Sequence, residues 1–186
     1  MIQIKRTVLF TLVLSSALLV SLFVGIATSY QHTQQYVSYR FDAILTNPVA
    51  NVTGAPPFLV INGYRPASGI LSANVTIDGV TYTYPKDFNY SETFHVESNL
   101  ATNKSYYVVT SVFTFNMPGN PTITEWMTMQ ATMINNVTTT DNGVFFLTGT
   151  GKFCNVDGGG FIVSTGNATI RTDYARHIGL IKGWPM

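Results

Sequence analysis

From Gln35 onward, apolar and polar side chains alternate with a period of two. Val37, Tyr39, Phe41, Ala43 and Leu45 fall on one face, with Ser38, Arg40, Asp42 and Ile44 between them. Successive side chains of an extended backbone point to opposite sides, so this pattern predicts a half-buried strand. A Pro/Gly-rich passage around Gly54-Ala55-Pro56-Pro57 follows, then the apolar run Phe58 to Ile61. Leu71 to Ile77 and Val80 to Tyr84 flank Asp78-Gly79, a two-residue loop suited to the positive φ angles of a tight hairpin.

Further strands are predicted at Glu92 to Ser98, Ser105 to Phe115 and Ile123 to Asn135. After Asp141-Asn142-Gly143, which reads as a turn, Val144 to Leu147 is another. Phe153, Phe161 to Ser164 and Ala168 to Thr172 come next, separated by Asp157-Gly158-Gly159-Gly160 and Gly166-Asn167. Tyr174 to Ile178 allows a short helical turn, and Ile178 to Ile181 reads either as a last strand or as a tail. The sum is an all-β domain, an antiparallel β-sandwich or closed β-barrel of about eight to ten strands. Met127, Met129, Ala131 and Met133 share one face of their strand, which reads as core in preference to a functional methionine stripe.

The N-terminus follows a different rule. Val8 to Ala27 is a nearly continuous apolar run preceded by Lys5 and Arg6, and the next charged side chain is Arg40. A helix of that length matches the hydrocarbon core, and the flanking positive charge keeps its start in the cytoplasm. Residues 1–29 therefore read as a cytoplasmic stub with a transmembrane helix or signal peptide, and residues 30–186 as an extracytoplasmic β domain. Small residues at Gly25-Ile26-Ala27 and Ala27-Thr28-Ser29 suit a signal peptidase, so both a membrane anchor through residues 8–27 and a secreted product stay open. No cysteine lies near the end of the run, which excludes a lipoprotein anchor.

Composition narrows the function classes. Charged residues make up 10% of the chain and the net charge is +1, against about 25% charged in an average globular protein. With basic residues scattered singly, nucleic-acid binding is not expected. Cys154 is the one cysteine. It can form no intrachain disulfide, and it reads as a small buried side chain within a strand. Six Asn-x-Ser/Thr sequons, at Asn51, Asn74, Asn89, Asn103, Asn136 and Asn167, all follow the apolar run and are candidate glycosylation sites.

Catalytic chemistry is harder to find. Among His32, His95 and His177, His95 shares a strand face with Glu97, and Asp42, Glu125 or Asp157 are candidate third partners. An exposed polar pair on a strand is the plainer reading. No metal-ligand, phosphate-loop or nucleophile-elbow spacing occurs, so no catalytic residue, metal or cofactor is assigned. Thr148-Gly149-Thr150-Gly151-Lys152-Phe153, with Gly158-Gly159-Gly160 after it, resembles the turn found in dirigent and allene oxide cyclase barrels. That resemblance spans a short segment and implies an eight-stranded antiparallel barrel with an apolar ligand cavity.

Two functional expectations follow. One is a non-enzymatic cell-surface protein, a structural, adhesive or filament-type subunit that self-associates or binds other surface proteins. Within it, residues 32–45 could complete a neighbour's sheet if the N-terminal helix is removed. The other is an extracytoplasmic barrel or sandwich that binds a small apolar ligand.

Overall fold

A computed structural model describes residues 35–46, 48–77, 79–134, 138–167 and 172–182. The apolar run Val8 to Ala27, His32 and the sequon at Asn136 lie outside them. Among the described residues no helix is long and apolar enough to cross a membrane.

The domain is all-β and antiparallel, as expected, but carries more strands than expected. Eleven are described: β1 (Gln35–Leu45), β2 (Val49–Ala55), β3 (Phe58–Arg65), β4 (Ile70–Ile77), β5 (Val80–Tyr84) and β6 (Phe88–Asn99), then β7 (Lys104–Phe115), β8 (Thr122–Ile134), β9 (Thr138–Gly149), β10 (Asp157–Asn167) and β11 (Thr172–Lys182). They form one sheet in the order β2-β3-β6-β7-β8-β9-β10-β11-β1-β4-β5. From β6 to β11 the chain is a simple meander. β1 then pairs with β11, so the first and last strands lie side by side inside the sheet, with β4 and β5 beyond them.

The sheet curls into a half-barrel, and aromatic contacts across its interior show how far. Phe41 on β1 stacks on Tyr90 of β6 with ring centroids 5.1 Å apart, and Tyr82 on β5 meets Phe115 of β7 at 5.0 Å. Those strands sit near opposite ends of the sheet order. No ladder joins β5 to β6 among the described residues; Tyr84 and Phe88 meet edge-on there instead. One end of the half-barrel is filled by Phe88, Phe113, Phe115, Phe153, Ile77 and Leu147, all almost fully buried. Burial of such side chains is worth about 1.5–3 kcal/mol each, so this packed end is the main hydrophobic anchor of the sheet.

Several local expectations are corrected. Val49–Ala55 is a strand, although all seven of its residues are exposed and carry no periodic signal. Asp141-Asn142-Gly143 is strand interior, paired to both β8 and β10. There the neighbouring backbone overrides turn chemistry: a Cβ on Gly143 would lie 2.0 Å from the Thr128 carbonyl oxygen, so only glycine lets the two strands close up. Gly158 to Gly160 are likewise strand, and Tyr174 to Ile178 belong to β11 rather than to a helical turn. Cys154 is not buried in a strand; it is exposed, just after the 3-10 turn Gly151–Phe153. The hairpin around Gly79 is as expected, with Ile77 opposite Val80 and Gly79 at φ +81°.

Candidate functional site

Strand alternation places a row of polar side chains inside the curl. Arg65 on β3 stands opposite Glu92 on β6, Glu92 opposite Ser111 on β7, and Ser111 opposite Glu125 on β8. All four lie in phase with apolar neighbours on their own strands, such as Tyr90 and Phe94, Val109 and Phe113, Ile123 and Met127, and so face inward. A buried polar group needs a partner, and Arg65, Glu92 and Ser111 find theirs here, while Glu125 Oε1 is buried without a hydrogen bond. Arg65 Nε donates to Glu92 Oε1 at 2.8 Å, and its Nη1 donates to the Thr46 carbonyl. Tyr90 donates its phenol proton to Glu92 Oε2 at 2.7 Å, which leaves Ser111 Oγ, 2.9 Å away, to donate to the phenol oxygen. Burial, followed by the charge of Glu92, pushes the Tyr90 phenol well above its ordinary range, so it stays protonated.

The curl brings β11 over this row. His177, inward on β11 and 2% exposed, places Nε2 2.8 Å from Glu125 Oε1, and its ring packs edge-on against Phe145 at 4.8 Å. Farther along the interior, Asp141 on β9 stands opposite Ser164 on β10, and Ser164 Oγ donates to Asp141 Oδ2 at 2.7 Å. The other Asp141 oxygen, Oδ1, is buried without a hydrogen bond. Burial raises the Asp141 carboxyl above the usual range, an effect the Ser164 hydrogen bond partly opposes.

These groups wall a cavity of about 330 Å³, whose remaining lining is mostly apolar. Phe41, Phe94, Tyr107, Met127 and Met129 contribute rings and thioethers, and Leu45, Pro48, Ile61 and Val96 line the end away from the packed aromatic core. The space is of the size that takes a small organic molecule.

The histidine singled out in the sequence is elsewhere. His95 faces outward on β6, bonded to Asn62 Oδ1 at 2.7 Å, with Glu97 at 3.4 Å, and all three are exposed or half-buried. Asp42 pairs with Arg40 at 2.8 Å, and Asp157 opens β10 on the exposed side. Of the three candidate acids only Glu125 is in the interior, and its histidine is His177. The alternation Ile123, Glu125, Met127, Met129 carries the signal for a carboxylate on a core face. Met127 and Met129 line the cavity, while Met133 at the strand end is exposed.

Among the described residues no group of three His, Cys, Asp or Glu side chains could hold a metal ion. Asn51, Asn74, Asn89 and Asn103 are exposed, and Asn167 is half-buried at the end of β10. No known family, curated protein or solved structure matches the chain.

Proposed function

We propose that this chain is an extracytoplasmic β protein, anchored by residues 8–27 or secreted, that holds a small and mainly apolar ligand inside its curled sheet. The observation that carries the reading is the 330 Å³ cavity with its polar inner row. A domain built only for packing gains by filling such a space, since empty volume costs stability. The sheet here is packed solid at one end and open within at the other. In functional terms it is nearer a barrel than a sandwich. Native mass spectrometry of the full chain isolated from its cell surface and deglycosylated tests this. A stoichiometric residual mass supports a resident ligand; bare polypeptide that takes up no small apolar probe contradicts it.

A second reading, the self-associating and glycosylated surface subunit, draws support from the outer face. Trp126 stands beside Phe146, and Val144, Phe161 and Ile178 form a cross-strand row; all five are exposed. Edge strand β2 is open as well. Residues 35–45 do not suit strand donation, because β1 is held between β11 and β4 of its own sheet. Assembled mass before and after deglycosylation tests the subunit reading, which requires a polymer larger than a dimer.

A further inference from the structure

We propose that the ligand of this cavity is an organic cation, an ammonium group carried on an apolar body. The inference rests on the reading of the cavity as a ligand site and adds the chemistry of the headgroup. Its first support is the charge of the wall. Three carboxylates, Glu92, Glu125 and Asp141, face one guanidinium, Arg65, with His177 as the other basic group. Arg65 is committed to Glu92 and to the Thr46 carbonyl, and His177 faces Glu125 at 2.8 Å. Among the described residues this leaves Asp141 without a cationic partner, its Oδ2 held by Ser164 and its Oδ1 buried with no hydrogen bond.

A charge in such surroundings attracts an opposite charge far more strongly than it would in water. An anionic headgroup would meet the same carboxylates and find the guanidinium already engaged, with its own desolvation unrepaid. A neutral hydroxyl would gain a hydrogen bond and nothing more.

The second support is independent of the acids. Phe41, Tyr90, Phe94, Tyr107 and Phe113 line the same space. Phe41 stacks on Tyr90 at 5.1 Å, and Tyr90 meets Phe113 at 5.0 Å. Ring faces carry the negative lobe of the π quadrupole and stabilise a cation within about 6 Å, most of all where water is excluded. The Tyr90 phenol proton is already given to Glu92, so this residue offers a ligand no free donor. Aromatic walls and an unmatched carboxylate together favour an alkylated ammonium over an alcohol or a carboxylate of equal length.

The test uses the full chain in lipid nanodiscs, with empty nanodiscs as the blank. Hexyltrimethylammonium, hexanol and hexanoate are titrated in parallel. The expected result is binding of the ammonium about tenfold tighter than of hexanol, with hexanoate weakest. Asp141→Asn should cut the ammonium preference severalfold while leaving hexanol binding in place, which also shows that the variant is folded. Equal binding of all three probes, or preference for hexanoate, overturns the cation assignment and leaves the cavity reading standing. Failure of every probe to bind overturns both.

Discussion

Glu125 Oε1 lies 2.8 Å from His177 Nε2 although β8 and β11 are separated by two other strands. Only the curl of the sheet brings them together, so the pair reports directly on the curled form of the domain. Removing one member of a buried pair strands the other in a low-dielectric interior. His177→Ala is therefore expected to cost about 3 kcal/mol, part of it from the lost packing on Phe145. Glu125→Leu combined with His177→Leu should recover much of that loss. Urea unfolding followed by circular dichroism measures both.

Asp141 predicts a pH dependence of definite sign. Its folded-state pKa is raised, chiefly by burial. Its contribution to stability is thus fully present below the unfolded carboxylate pKa and is lost as pH rises through the raised folded value. Asp141→Asn should leave thermal stability nearly unchanged in acid and increase it at neutral pH. A melting series across pH 3 to 8, roughly bracketing carboxylate titration, gives the comparison, and a variant less stable at neutral pH would refute the argument. Ser164 on β10, which donates to Asp141 Oδ2 at 2.7 Å, is the polar group bonded to it, and the same series on Ser164→Ala separates its share.

Gly143 is expected to tolerate no side chain. Its Cβ would stand 2.0 Å from the Thr128 carbonyl oxygen and 2.8 Å from the Met129 Cα, both backbone atoms that cannot swing away. Gly143→Ala should destabilise the domain by about 2–4 kcal/mol, measurable by denaturant titration. An effect below about 0.5 kcal/mol, the level of a neutral surface change, would show that β8 and β9 are not so closely apposed.

Cys154 should label stoichiometrically with a maleimide in the folded protein, without denaturant, because its side chain is exposed beside the 3-10 turn. Intact mass before and after reagent reads the result. Protection until unfolding would restore the buried position that its apolar character suggests.

Much of this architecture is legible in the chain, and the exceptions have physical causes. β5 and the hairpin at Gly79 follow from alternation and a tight Gly turn, and β7 and β8 from long runs of period two. β2 is not legible because an edge strand exposed along its whole length has no hydrophobic phase to read. Asp141-Asn142-Gly143 has turn chemistry, yet lies in a strand because close backbone approach selects the glycine. The site itself was half visible. Glu125 sits in register with Ile123 and Met127, an acid on a core face; nothing local links it to His177, since that meeting depends on three successive strand pairings and the curl they build. The cavity is invisible for the same reason, being a property of how the sheet closes rather than of any strand.

The cavity's occupancy can be read from methionine methyl groups. Met127 and Met129 line the space, whereas Met133, on the same strand, is exposed beyond it. Methyl-labelled methionine in the full chain, titrated with hexyltrimethylammonium and followed by NMR, distinguishes interior from surface binding. The account predicts saturable shifts at Met127 and Met129 with Met133 unmoved. Shifts confined to Met133, or none at all at any concentration the protein tolerates, would contradict it.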